Sequence, residues 1–197
     1  MKRLQGQNVL ITGASSGFGR GIALACAEAG ANVALVARSG QRLREVAAKA
    51  EALGVETVVC VTDIGDEVQI RSAIAETKAH LGHINILVNN AGTNIPSRSI
   101  HDTSSEEWAQ LLEINLTSAF LFTKALLPGM KERRQGTIIN LASRAALHPD
   151  VNDALYFVAR GDGGHAFSAT LKEHNLAVRK YQLKRREGYR STPEKRQ

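Results

Sequence analysis

The sequence predicts an α/β domain built on a doubly wound parallel sheet. Two observations lead there. Short apolar runs rich in β-branched residues alternate with amphipathic stretches of helical length, and the first such junction is a glycine-rich turn. Val9-Leu10-Ile11 reads as the first strand, and Thr12-Gly13-Ala14-Ser15-Ser16-Gly17-Phe18-Gly19 follows it into a helix from Gly19 to about Ala29. A strand, a tight turn and a helix amino end in that order form a site for a diphosphate. Gly13 permits the turn, Gly17 admits the phosphates to the backbone, and Gly19 lets the helix pack on the strand. The free N–H groups of Ser15, Ser16, Phe18 and their neighbours then face the anion. The spacing is G-x-x-x-G-x-G, and by itself it is weak evidence, because glycines also serve turns without a ligand.

The alternation continues along the chain. Val33–Val36 reads as a strand, Gln41–Leu53 as a helix and Val55–Val61 as a third strand. Asp66–Leu81 keeps helical spacing through Val68, Ile70, Ile74 and Leu81, and Ile84–Val88 is a buried strand. Thr103, Ser104, Glu106 and Glu107 supply overlapping capping-box spacings for a long helix reaching about Lys131. Thr137–Leu141 is the fifth strand. Asp153–Asn175 is expected to be a further helix, weakened by glycines at 161, 163 and 164. Leu176–Leu183 is a candidate sixth strand, although Arg179 and Lys180 fit a covered sheet poorly.

The 197 residues are expected to form one domain over 1–183, with a basic, unfolded tail at 184–197. Residues 168–197 hold nine Lys or Arg against three Glu, and this tail accounts for the whole net charge of +6. With the rest of the chain balanced, no nucleic-acid partner is expected. Apolar runs are too interrupted for a membrane span; Glu28 and Asn32 break Ile22–Ala37. With a strand reading within nine residues of the start, no signal peptide is expected. Cys26 and Cys60 lack metal-ligand spacing and read as buried thiols of a cytoplasmic protein, with no metal.

Ser143 follows the fifth strand and Tyr156 comes thirteen residues later, near the start of the expected helix. Strand ends at the carboxyl edge of such a sheet face the ligand crevice, where a serine hydroxyl and a tyrosine phenol can polarise and protonate a carbonyl oxygen. Taken with Thr12-Gly13-x-x-x-Gly17-x-Gly19, Asp63, Asn89-Asn90-Ala91-Gly92 and Asn115, they make the chain resemble the short-chain dehydrogenase/reductase family over residues 6–175. The resemblance implies a Rossmann-like fold and reversible hydride transfer between a nicotinamide and a carbonyl or secondary alcohol. It implies that Ser143 orients the carbonyl, that Tyr156 transfers the proton, and that Asn115 holds a water in the proton relay. Asn90, Ala91 and Gly92 would line the cofactor, Asp63 and Ile64 would contact adenine, and Asn89 would brace the sheet. Read locally, Asn115 would bond backbone at a helix bend and Asp63 would cap a turn.

Three departures stand beside the resemblance. Arg160 occupies the place of the family lysine four residues after the tyrosine; it keeps the charge but cannot pass a proton. Gly161-Asp162-Gly163-Gly164 is one residue too long, and one inserted residue turns a helix by about 100°. The family's later strands and substrate loop are not readable after Asn175, so those elements are expected to be absent or disordered. A catalytically impaired or non-catalytic cofactor-binding protein of the same fold is therefore the alternative.

The second strand ends Val36-Ala37-Arg38-Ser39, with no acid to bind ribose hydroxyls, and Arg38 can pair with a 2′-phosphate. NADP(H) is accordingly expected over NAD(H). By resemblance, the expected partners are a small carbonyl or alcohol and a second copy of the chain, joined through the 105–131 and 153–175 helices.

Overall fold

Strand β1 (Asn8–Thr12) is buried along its whole length, because strands flank it on both edges and helices cover both faces. Its alternating side chains separate the two layers. Val9 and Ile11 enter one core with residues of α1 (Gly17–Glu28) and α2 (Gly40–Glu51). Leu10 enters the other, with residues of α3 (Glu67–Leu81) and α5 (Ser118–Arg133). Strand β2 (Asn32–Ala37) divides in the same way: Val33, Leu35 and Ala37 face α1 and α2, while Ala34 and Val36 face the opposite layer. A strand covered on both sides reads as a continuous apolar run, as these do. The computed structural model describes residues 2–95, 101–141, 156–159, 165–168 and 176.

With β3 (Thr57–Val61), β4 (Ile86–Asn89) and β5 (Thr137–Asn140), the sheet has five parallel strands in the order β3-β2-β1-β4-β5. This is a Rossmann-like doubly wound fold. The order reverses between β1 and β4, and a crevice opens beyond the carboxyl ends of such neighbours. β5 lies at one edge of the sheet, with Ile139 and Leu141 exposed.

The helices follow their apolar spacing. α2 buries Leu43, Val46, Ala47 and Ala50, and α3 buries Ile70, Ala73, Ile74 and Thr77. Asp66 caps α3, its carboxylate accepting from the N–H groups of Val68 (2.8 Å) and Gln69 (3.3 Å). The Gln69 side chain, then the two backbone N–H groups, hold the Asp66 carboxyl below its ordinary pKa. Ser104 and Glu107 form the capping box at the start of α4 (Ser105–Leu112). Between α4 and α5 the helix widens into a π turn, Glu113–Thr117. Ser118 then donates its hydroxyl to the Ile114 carbonyl at 2.6 Å. By length and composition the whole run Ser105–Arg133 would suffice to cross a membrane. Here Phe122, Leu126 and Met130 bury one face of it in the core. Cys26 and Cys60 are free thiols, and burial pushes the Cys60 thiol up to about 11.

The expected helix over Asp153–Asn175 is not what the described residues show. Tyr156–Ala159 forms β6 and His165–Ser168 forms β7, an antiparallel pair with Phe157 opposite Phe167. Two consecutive aromatics and a valine favour extended backbone, while the glycine-rich stretch between the strands opposes a helix. These strands fall in the second of two compact units, Met1–Ser143 and Arg144–Gln197. The candidate strand at 177–183 and the tail at 184–197 lie outside the described residues.

At the amino edge of the sheet three asparagines link neighbouring strands. The Asn8 N–H donates to Asn85 Oδ1 (2.8 Å), and Asn8 Nδ2 donates to the carbonyls of Leu81 and His83. Asn32 Nδ2 donates to Asn8 Oδ1 (3.0 Å), and the Glu56 N–H donates to Asn32 Oδ1 (3.0 Å). Asn8 and Asn85 are both buried, so each lost bond would leave a desolvated polar group. Asn8→Ala is expected to lower unfolding free energy by about 3 kcal/mol in urea titrations. A loss below about 1 kcal/mol would show that these bonds do not hold the edge.

Candidate functional site

The turn after β1 can close only because two positions lack a side chain. Gly13 has φ +69°, and a Cβ there would stand 2.9 Å from Ala91 Cα. At Gly19 a Cβ would collide with the Gly13 carbonyl and stand 2.5 Å from Asn90 Nδ2. The amino end of α1 is therefore drawn against the ends of β1 and β4. Thr12 completes the junction. Its Oγ1 accepts from the N–H groups of Asn90 and Ala91, both at 3.0 Å, while Asn90 Nδ2 donates to the Thr12 carbonyl at 2.8 Å.

A cleft of about 460 Å3 opens at this junction. The first turn lines it with Gly13, Ser15, Ser16 and Phe18, the last of these largely exposed. The end of β2 and the start of α2 add Ala37, Arg38, Ser39 and Arg42. Thr62, Asp63 and Ile64 enter after β3. Asn90, Ala91, Gly92 and Thr93 follow β4, and Ile114 reaches in from the π turn. Ten of the residues singled out in the sequence thus meet in one cleft. Gly17 and Gly19 do not line it: Gly17 begins α1 beside open space, and Gly19 is buried beneath the turn.

Local bonding qualifies several expectations. Asp63 Oδ1 accepts from the Gly65 N–H at 3.0 Å, which makes a turn, yet the residue still faces the cleft. Asn89 braces the sheet, its Nδ2 donating to Asn140 Oδ1 at 2.8 Å across β4 and β5, while its buried Oδ1 has no hydrogen-bond partner among the described residues. Asn90 both lines the cleft and braces β1. Asn115 sits in the π turn and spends its amide on Thr93: Oδ1 accepts from the Thr93 N–H (2.8 Å) and Nδ2 donates to the Thr93 carbonyl (3.0 Å). It fixes the segment after Gly92 and does not itself line the cleft.

The amino end of α1 presents N–H groups without a side-chain cap from Ser16 and without an acidic residue in the first turn. Such an end attracts an anion. Sequence reasoning missed Ser39, Arg42, Thr62, Thr93 and Ile114. Of these only Arg42 carried a readable signal, a cation one turn beyond Arg38 on a helix opening at the same edge.

Of the expected catalytic residues, Ser143 and Arg160 lie outside the described residues. Tyr156 begins strand β6 instead of lying near a helix start. A helix would keep residues 156 and 159 within one turn, whereas the extended backbone of Tyr156–Ala159 separates them by about 10 Å.

Comparison with known proteins agrees with this architecture. Residues 7–178 match the family model of the short chain dehydrogenases. An uncharacterized oxidoreductase of Staphylococcus epidermidis is 32% identical over 173 residues, which cover 88% of this chain and 73% of that protein. The structure of a 7α-hydroxysteroid dehydrogenase complexed with NADH and 7-oxo glycochenodeoxycholic acid matches with a TM-score of 0.71 at 30% identity, covering 77% of this chain. That of L-sorbose reductase from Gluconobacter frateurii, complexed with NADPH and L-sorbose, matches with a TM-score of 0.71 at 34% identity, covering 76%. The matched region spans 58% and 57% of those two chains. The family match, the order of the sheet and the glycine turn lead to one conclusion: the chain belongs to the short-chain dehydrogenase family of oxidoreductases.

Proposed function

We propose that the protein binds NADP(H) in the cleft beside α1 and reversibly reduces a small carbonyl compound to a secondary alcohol. The observation that carries the cofactor reading is the charge of the cleft. Arg38 stands at the end of β2, where an acid would repel a 2′-phosphate, and no described acid pairs with it. The uncapped amino end of α1 fits the diphosphate, and Asp63 with Ile64 fits the adenine. When bound, the nicotinamide supplies the hydride. Ser143 holds the substrate oxygen and Tyr156 delivers the proton, with Arg160 supplying positive charge; these roles rest on the resemblance of residue types and order. Asn115 acts through Thr93, keeping the backbone after Gly92 in place. Two free thiols fit a reducing, cytoplasmic setting.

A second reading, cofactor binding without turnover, draws on one specific observation, the extended backbone at Tyr156. Binding and turnover separate the two. Titration is expected to show NADPH binding more tightly than NADH, and Arg38→Ala should remove most of that difference, about tenfold. Equal affinities, unchanged in the variant, would overturn the cofactor assignment. In a panel of ketones followed by NADPH oxidation, Tyr156→Phe should abolish turnover while NADPH affinity stays within twofold. Undiminished turnover in that variant would remove Tyr156 from the reaction, and binding without turnover in the parent protein would favour the second reading.

The proposed partner is a second copy of the chain. Trp108, Leu112, Leu116 and Phe120 are exposed by 56%, 40%, 63% and 58% at a spacing of four along the 105–133 helix. In an uninterrupted α-helix, positions 108 and 120 would lie about 120° apart; the wider π turn takes back part of that rotation. With the 156–159 and 165–168 segments extended, this helix is the remaining part of the expected contact. Light scattering should show a dimer that Trp108→Glu converts to monomer; a monomeric parent protein would refute the contact.

A further inference from the structure

We infer, on the reading of the cleft as a cofactor site, that Ser118 is a positioning residue for it. Its hydroxyl holds the π turn that delivers Ile114 to the lining and Asn115 to Thr93. In an α-helix the N–H of residue 118 would donate to the carbonyl four residues back, that of Ile114. Here it donates to the Glu113 carbonyl, one residue farther back, as a π turn requires. The Ser118 hydroxyl makes up the displaced bond, donating to the Ile114 carbonyl at 2.6 Å. Ser118 is only 5% exposed, which keeps that hydroxyl away from bulk water.

Three consecutive side chains on the turn reach three parts of the site. The Glu113 carboxyl carbon would lie 3.8 Å from a Cβ on Gly65, in the turn after β3 that follows Asp63. Ile114 lines the cleft. Asn115 holds the Thr93 N–H and carbonyl at 2.8 and 3.0 Å. Gly92 leaves room for this grip, since a Cβ there would stand 3.0 Å from Asn115 Oδ1. One residue of helix is worth about 100° of rotation, so a turn rewound to α geometry would not keep all three placements. A hydroxyl bond to the carbonyl four residues back is not special in itself: Thr77 Oγ1 donates to the Ala73 carbonyl at 2.8 Å within α3. Ser118 differs because its own N–H has passed to another carbonyl, at the turn that feeds the cleft.

The test combines amide hydrogen exchange with calorimetric NADPH titration on the parent protein, Ser118→Ala, Ser118→Thr and Thr77→Val. Without ligand, the Thr93 amide of Ser118→Ala is expected to exchange about fivefold faster than in the parent, relative to the amides of β1. NADPH affinity is expected to fall by about the same factor. Ser118→Thr keeps the hydroxyl and should restore both. Thr77→Val removes the comparable bond of α3 and should leave both readings within about twofold of the parent, even where it lowers the unfolding midpoint. Equal Thr93 exchange in the parent and Ser118→Ala would overturn the hold of Ser118 on the turn, whatever the affinities. Unaltered NADPH affinity in Ser118→Ala would overturn its bearing on the cleft. A parent protein that binds no NADPH would overturn the cofactor reading, and Thr93 exchange would then decide the role of Ser118 by itself.

Discussion

The structure depends on how closely the amino end of α1 approaches the ends of β1 and β4. A Cβ at Gly19 would collide with the Gly13 carbonyl, and one at Gly13 would press on Ala91. With both absent, Thr12 can accept three hydrogen bonds, two from Asn90 and one from the Ala91 N–H, that tie the two strands where the sheet order reverses. The cleft is the space left on the solvent side of that junction. Its glycine turn at the amino end of α1 and the segment after β4 that carries Ala91 and Gly92 are placed by this one contact.

A second constraint works at the opposite edge of the sheet. The asparagines at positions 8, 32 and 85 satisfy backbone groups where the strands begin, which a covered parallel sheet cannot leave to water. The two polar networks, one at each end of β1, surround an apolar middle in which Leu10 and Ile11 are fully buried. Fixed ends keep the register of β1 against β2 and β4, and with it the position of the glycine turn.

Electrostatics gives the cleft its direction. Helix α1 offers uncapped N–H groups, and Arg38 with Arg42 adds two cations to the lining that also holds Asp63 and Ile64. Asn115 contributes differently. The π turn places its amide opposite the Thr93 backbone, so it stiffens the cleft's rim through two hydrogen bonds. A residue type that resemblance assigns to a proton relay thus has a structural duty in the first unit.

The sequence by itself determined the sheet, the order of its elements and most of the cleft. Period-two and period-3.6 patterns record burial directly, and the glycines mark places where a side chain cannot fit. It also marked the cap at Ser104, because that bond is local, and it started the third helix at Asp66 without marking the cap there. Tertiary structure alone decided the rest. That Asn8 meets Asn85 and Asn32, that Arg42 shares a cleft with Asp63, and that Asn115 clasps Thr93 depend on residues far apart in the chain, whose meeting no local period encodes. The segment around Tyr156 shows the limit most plainly. Helical spacing read across 153–175 competed with aromatic, β-branched and glycine preferences, and pairing between Tyr156–Ala159 and His165–Ser168 satisfied the backbone as strands.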